Sequence, residues 1–138
     1  MNPDKAYPKR QSHSGSSRQL GVMAEELAAV FFVKKGYTVL EKNYHAPCGE
    51  IDLILTVLDT LVFAEVKARR GNGCGLPQEA VTLRKQRQII RAAQWYLQKK
   101  GWCDRQMRFD VLAIDFSDDR RPVIEHITNA FDCANIWV

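Results

Sequence analysis

A chain of 138 residues that is 46% hydrophobic and 26% charged has the makings of one domain with a true core, and it is neither disordered nor membranous by composition. No apolar run approaches the ~18 residues of a membrane span, and the first 19 residues lack the apolar centre of a secretory signal, so a cytoplasmic protein is expected. The net charge of +4 is unevenly spread: residues 65–108 hold eleven Lys/Arg against three acids, a local excess of +8, while residues 19–64 hold three against six and residues 109–138 two against six.

Residues 1–18 mix Ser, Lys, Arg, Gln, His and Pro without apolar periodicity and read as a flexible basic tail ahead of a single domain, 19–138. A first helix is expected from about Arg18 to Lys35, ended by Gly36. Its apolar residues lie almost all round, which predicts burial on more than one side. Glu25 and Glu26 are its anomalies, and helical geometry leaves open which of them points inward. Tyr37–Asn43 reads as a first strand, with His45–Gly49 as the turn that follows.

The segment Gly49–Lys67 carries the chemistry. Asp52 interrupts the apolar run Ile51–Leu55, and Glu65 and Lys67 interrupt the run Leu61–Val66. Side chains alternate along a strand with period two, so Glu65 and Lys67 share a face. A tight reversal near Asp59-Thr60 predicts an antiparallel pair in which Asp52 falls opposite Lys67 and diagonal to Glu65. Two carboxylates so close repel unless a cation lies between them, and Mg²⁺ (Mn²⁺ as substitute) is typically held by one or two protein carboxylates with water and phosphate oxygens. Such an ion would activate water and stabilise a phosphoryl oxygen, with Lys67 neutralising the phosphate. A same-face ion pair of Glu65 and Lys67 at a solvated strand edge would leave the same pattern.

The loop Arg69–Pro77 is glycine-rich but lacks GxxxxGK[ST], which argues against a nucleotide cofactor. A long helix is expected over about Pro77–Lys100. Ile89, Ile90, Ala93, Tyr96 and Leu97 form its apolar face, with Arg84, Arg87 and Arg91 well away from it. That arginine stripe suits phosphate contacts, although a solvated helix looks the same. Trp95 and Trp102 read as core or interface packing rather than base-stacking platforms. Met107–Phe116 and Pro122–Ile127 are the fourth and fifth strands, and Thr128–Val138 has no assignment. The order αβββαββ predicts an α/β domain with a central mixed sheet. Cys48, Cys74, Cys103 and Cys133 form no CxxC pair and read as free thiols, and His45-x-x-Cys48 lacks the second ligand pair of a zinc site.

In their joint order and spacing, Gly21-x-x-Ala24-Glu25, Gly49-Glu50-Ile51-Asp52-Leu53-Ile54, Phe63-Ala64-Glu65-Val66-Lys67-x-Arg69, Ala80-Val81 with Lys85, and Arg108-Phe109-Asp110-Val111 resemble the YraN family of small bacterial proteins. More distantly the chain resembles archaeal Holliday junction resolvases of the restriction-endonuclease-like PD-(D/E)xK superfamily. The resemblance implies a three-layer fold and a metal-dependent nuclease hydrolysing phosphodiester bonds in DNA. It implies Asp52 and Glu65 as metal ligands, the main-chain carbonyl of Val66 as a third oxygen, Lys67 as the catalytic lysine, and Glu25 rather than Glu26 reaching the site. Arg69, Arg70, Arg84, Lys85, Arg87 and Arg91 are the expected nucleic-acid contacts, and a homodimer follows by analogy with resolvases. A nucleic-acid-binding or partner-binding module on the same fold that cleaves nothing is the alternative.

Overall fold

The structure, a computed structural model, describes residues 13–70, 81–118 and 120–133. Its elements are α1 (His13–Lys34), β1 (Thr38–Ala46), β2 (Gly49–Val57), β3 (Thr60–Arg69), α2 (Leu83–Lys100), β4 (Gln106–Asp115) and β5 (Val123–Phe131). The five strands form one mixed sheet in the order β1-β2-β3-β4-β5, antiparallel throughout except for the parallel β3–β4 pair that α2 connects. One helix lies on each face, which gives the three-layer restriction-endonuclease-like arrangement. Two apolar cores result. Ala24, Ala28 and Phe32 of α1 pack on Leu53, Leu55, Val62, Ala64, Leu112 and Ile114, while Ile89, Ile90, Ala93 and Tyr96 of α2 pack on Ile51, Ile54, Leu61, Phe63, Phe109 and Val111.

Helix α1 starts at His13, five residues before its expected start, so the basic tail of 1–18 overlaps the helix and residues 1–12 lie outside the described residues. It ends as expected: Gly36 takes φ 92°, the left-handed conformation natural to glycine, and the N–H of Tyr37 returns to the carbonyl of Phe32. Burial on several sides does not occur. Val22, Met23, Val30 and Val33 are each at least half exposed, and the sheet covers only the alanine-rich side. Small residues there let α1 settle close to the strands, and four apolar side chains are left on the opposite side.

The β2–β3 reversal is two residues long, Leu58-Asp59, with Val57 paired to Thr60. The expected register is therefore wrong by two residues: Leu53 pairs with Ala64, which aligns Asp52 with Glu65 rather than with Lys67. Leu58 occupies a left-handed position (φ 51°) and is 95% exposed, an unusual choice where Gly or Asn is favoured. The β1–β2 turn is Pro47-Cys48, and β5 continues to Phe131, through part of the segment left unassigned.

Helix α2 begins at Leu83, capped by Thr82, whose hydroxyl accepts from the N–H of Lys85 at 3.2 Å. Its expected first residues, 77–80, lie outside the described residues, as does most of the glycine-rich loop. At the other end of the contact, β2 presses on the α2 backbone: a Cβ added to Gly49 would stand 3.0 Å from the carbonyl oxygen and 3.3 Å from Cβ of Gln88. Gly49→Ala must therefore push strand and helix apart, and we expect urea unfolding to give a stability about 1 kcal/mol below the parent's, net of the stiffer unfolded chain. An unchanged or raised midpoint would show that this contact yields freely.

Candidate functional site

Beyond the Leu53–Ala64 pair, β2 and β3 stop pairing. Continued register would give the Val66 N–H to the carbonyl of Ile51, since these residues occupy the next hydrogen-bonding position of the ladder. Instead that N–H donates to Oδ2 of Asp52 at 2.8 Å. The carboxylate wedges into a fork between the strands.

The other side of β2 is irregular at the same level. Leu53 packs in the α1 layer and Ile51 in the α2 layer, although residues two apart on a regular strand share a face. The flanking pairs Lys42–Leu53 and Tyr44–Ile51 set Asn43 across from Asp52, and Asn43 takes the left-handed φ of 50° that lets β1 follow the same rotation. Asn tolerates that conformation better than most residues. Its side chain hydrogen-bonds Glu25 from α1, whose carboxyl is raised by burial, is pulled back by this bond, and is raised further by the charges of Asp52 and Glu50. Glu25 is half-buried and Glu26 exposed. Both border a cavity of about 310 Å³ that reaches Asp52, Asn43 and Lys42.

Glu65 points to the opposite layer and is 4% exposed. Burial and the neighbouring charge of Asp52 push its carboxyl up to about 8, and the pull of Lys85 and Lys67 does not offset them. Their ammonium groups stand 3.9 Å and 3.8 Å from Oε1, too far for good hydrogen bonds, no donor reaches the buried Oε2, and the protonated carboxyl is held instead by a hydrogen bond to Asp52. A buried carboxylate left in this state costs folding free energy.

Asp110 is the instructive contrast. It is fully buried, and burial pushes its carboxyl up, but bonds from His126, Arg108 and the Asn129 N–H outweigh that and hold it below the usual range. His126 Nε2 lies 2.7 Å from Oδ2, Arg108 Nε 3.0 Å and the Asn129 N–H 2.9 Å from Oδ1, and Arg108 also donates to the Tyr37 hydroxyl. A bulge in the β4–β5 ladder beside Asp110, with Asn129 at φ 53°, turns that N–H toward the carboxylate. Asp110 is satisfied by the protein and needs nothing more; Glu65 is not.

The fork therefore gathers Asp52 and Glu65, with Lys67 and Lys85 beside Glu65 and Glu25 acting on Asp52 from the far layer. Among the described residues no three His, Cys, Asp or Glu side chains meet as a ligand set; Glu25 acts on Asp52 across the cavity they share. Lys85, expected as a phosphate contact, reaches the acid pair itself. Arg69 is half-buried at the end of β3, Arg70 is exposed just after it, and Arg84, Arg87 and Arg91 lie exposed along α2. Sequence reasoning missed Asn43, whose one signal was a turn-forming residue inside a strand-like run, and gave Arg108 no role.

The comparison with known proteins fits this geometry: residues 24–114, from the turn of α1 beside Glu25 to the end of β4, match the uncharacterised protein family UPF0102, the YraN family. The chain belongs to UPF0102. A UPF0102 protein of Geobacter sulfurreducens is 46% identical over 121 residues, covering 88% of this chain and 94% of its own length. One from Geotalea uraniireducens is 42% identical over 125 residues (91% and 98%), and one from Syntrophomonas wolfei 44% over 115 residues (83% and 99%). The UPF0102 match takes in every acid and lysine of the fork, and no helix of the described residues is long and apolar enough to cross a membrane.

Proposed function

We propose that the fork is the centre of a metal-dependent nuclease that hydrolyses phosphodiester bonds in DNA, with a structured substrate such as a junction or flap. The observation that carries this reading is the buried acid pair, Glu65 4% exposed and raised to about 8 beside Asp52, with the ammonium groups of Lys67 and Lys85 at 3.8 and 3.9 Å. Two hard oxygen donors that can ionise together only with a cation beside them suit Mg²⁺ or Mn²⁺, which asks for few protein ligands and retains waters. Asp52 and Glu65 would hold the ion, with the main-chain carbonyl of Val66 as a further oxygen and Glu25 acting through solvent. When bound, the ion supplies Lewis acidity to a water and to a phosphoryl oxygen.

The protein's own groups do the rest. Asp52 is fixed through Oδ2 by the Val66 N–H, and its side chain shares a hydrogen bond with Glu65, so the two carboxyls are held together where a cation would be bound. With a cation held, Glu65 would be ionised, its proton passing to solvent, and Lys67 and Lys85 would be placed to neutralise the attacked phosphate. Arg84, Arg87 and Arg91 extend the positive surface along α2. Cutting both strands of a junction calls for two such centres, and a homodimer is the assembly we propose for that step. The absence of a three-acid ligand set among the described residues favours a second reading, a nucleic-acid-binding module that cleaves nothing.

The test is purified protein with Mg²⁺ or Mn²⁺ on duplex, single-stranded, flap and four-way-junction DNA, beside Asp52→Asn and Lys67→Ala. Cleavage of at least one substrate that is lost in both variants is expected. Cleavage that survives both would place the chemistry elsewhere, and salt-sensitive binding without cutting on any substrate would establish the binding module.

A further inference from the structure

Trp95 is not in either core. It is 37% exposed and stands in line with the arginine stripe, because Arg84, Arg87, Arg91, Trp95 and Lys99 follow one another at steps of three or four residues along a single ridge of α2. The ridge starts one residue from Lys85, whose ammonium lies 3.9 Å from Glu65, and Trp95 lies ~15 Å farther along the axis at 1.5 Å per residue. There it borders an open groove of about 420 Å³ between α2 and β1, lined by Tyr44, Tyr96, Lys99 and Lys100 and, on the β1 rim, by Glu41 and His45. The Lys99 ammonium lies 5.0 Å from the Trp95 ring centre, and Lys100 lies over Tyr96 and Trp102 at 5.7 and 5.8 Å.

We propose that this groove is a binding subsite for an unpaired nucleotide of a single strand that leaves the fork along α2, with Trp95 as the surface on which its base stacks. The proposal rests on the nucleic-acid reading of the fork and adds to it the kind of strand the protein holds. A duplex offers its phosphates to a basic ridge but keeps its base faces stacked inside, so an exposed indole in that ridge has nothing to stack on unless the strand is unpaired. The charges fix the polarity of the groove. Lys99 and Lys100 sit on the helix side, where flexible stems let them turn from the rings to a phosphate, while Glu41 on the opposite rim repels phosphate and confines the backbone to the helix side. His45 is held by Glu50 at 2.9 Å, which anchors that rim.

The experiment is fluorescence anisotropy in EDTA with a labelled single-stranded 12-mer and a blunt duplex of the same sequence, for the parent, Trp95→Ala, Trp95→Phe and the double variant Lys99→Ala/Lys100→Ala. Trp95→Ala should weaken single-strand binding about tenfold, Trp95→Phe should recover most of that loss, and duplex binding should change less than about twofold in both. The double lysine variant should lower the single-strand salt slope by roughly 1.4, two phosphate contacts at about 0.7 each. Thermal melts confirm that each variant folds. A parent that binds DNA while Trp95→Ala binds the single strand as tightly, or loses duplex affinity equally, overturns the subsite and leaves the fork reading standing. A parent that binds neither DNA, in EDTA or with Ca²⁺ in its place, overturns both.

Discussion

Glu65→Gln will give a protein that is more stable than the parent at pH 8 without metal, and that a divalent cation no longer stabilises. Burial and the charge of Asp52 raise the Glu65 carboxyl from 4.5 to about 8 in the folded chain. Between these two values the folded state binds a proton that the unfolded state has lost. Stability is therefore full below about 4.5 and falls as pH rises through about 8. The parent should lose ~3 kcal/mol over that window, given a ceiling of 1.36 kcal/mol per unit and some relaxation around the charge. The glutamine variant has no proton to lose at this position and should run nearly flat. Mg²⁺ or Mn²⁺ acts in the opposite sense on the parent, because it binds only the ionised pair: stabilisation should grow from pH 6 to pH 8 and reach about 2.7 kcal/mol at a hundred times the dissociation constant. Urea unfolding at pH 5, 6.5 and 8, in EDTA and with each metal, reads both effects. A parent with no alkaline loss, or a variant that metal still stabilises, would contradict the assignment of Glu65. On the proposed nuclease reading, cleavage by the variant should fall about a hundred- to a thousandfold.

Asp110→Asn will be the most damaging of the conservative substitutions away from the fork, at a cost of ~3 kcal/mol near neutral pH. The carboxylate faces Arg108, which is only 22% exposed at its side chain, and His126, at 5%, so its loss strands a buried cation. The pH signature is the mirror image of that at Glu65. Hydrogen bonds hold Asp110 below 3.8, so its contribution is complete above that value and disappears as pH falls through the lowered one. The parent should thus show an acid limb that the variant lacks, measurable by urea titration from pH 5 to pH 2.5. An unchanged acid limb would mean that other carboxylates govern it. Together the two buried acids predict a stability maximum on the acid side of neutrality for the metal-free protein.

Much of this was readable from the residues alone. The order αβββαββ, the glycine stop of α1 and the shared face of Glu65 and Lys67 follow from periodicity and composition. The facing of those side chains survived an error of two residues in the β2–β3 register, because a shift by two returns every side chain to its own side. The register itself was hidden by Leu58, which adopts a left-handed turn position without being a turn-forming residue. Asn43 was hidden for the opposite reason: it is a turn former placed in mid-strand, where only the partner strand explains it. The start of α1 and the exposed apolar stripe were missed because a helix wheel lists neighbours along the helix but not what covers them. Residue type alone likewise did not decide between core and interface for Trp95, which is 37% exposed and lies outside both cores.

The parting of β2 and β3 has an architectural consequence. An unbroken sheet is a wall that keeps the chemistry of its two sides separate, whereas a gap in it is a window through which Asn43 and Glu25 on one side can influence Glu65 and Lys85 on the other. The centre therefore belongs to no single layer, and no fragment carrying one helix and part of the sheet can reproduce it. Its formation reports completion of the whole domain, so a half-built chain has no fork at all.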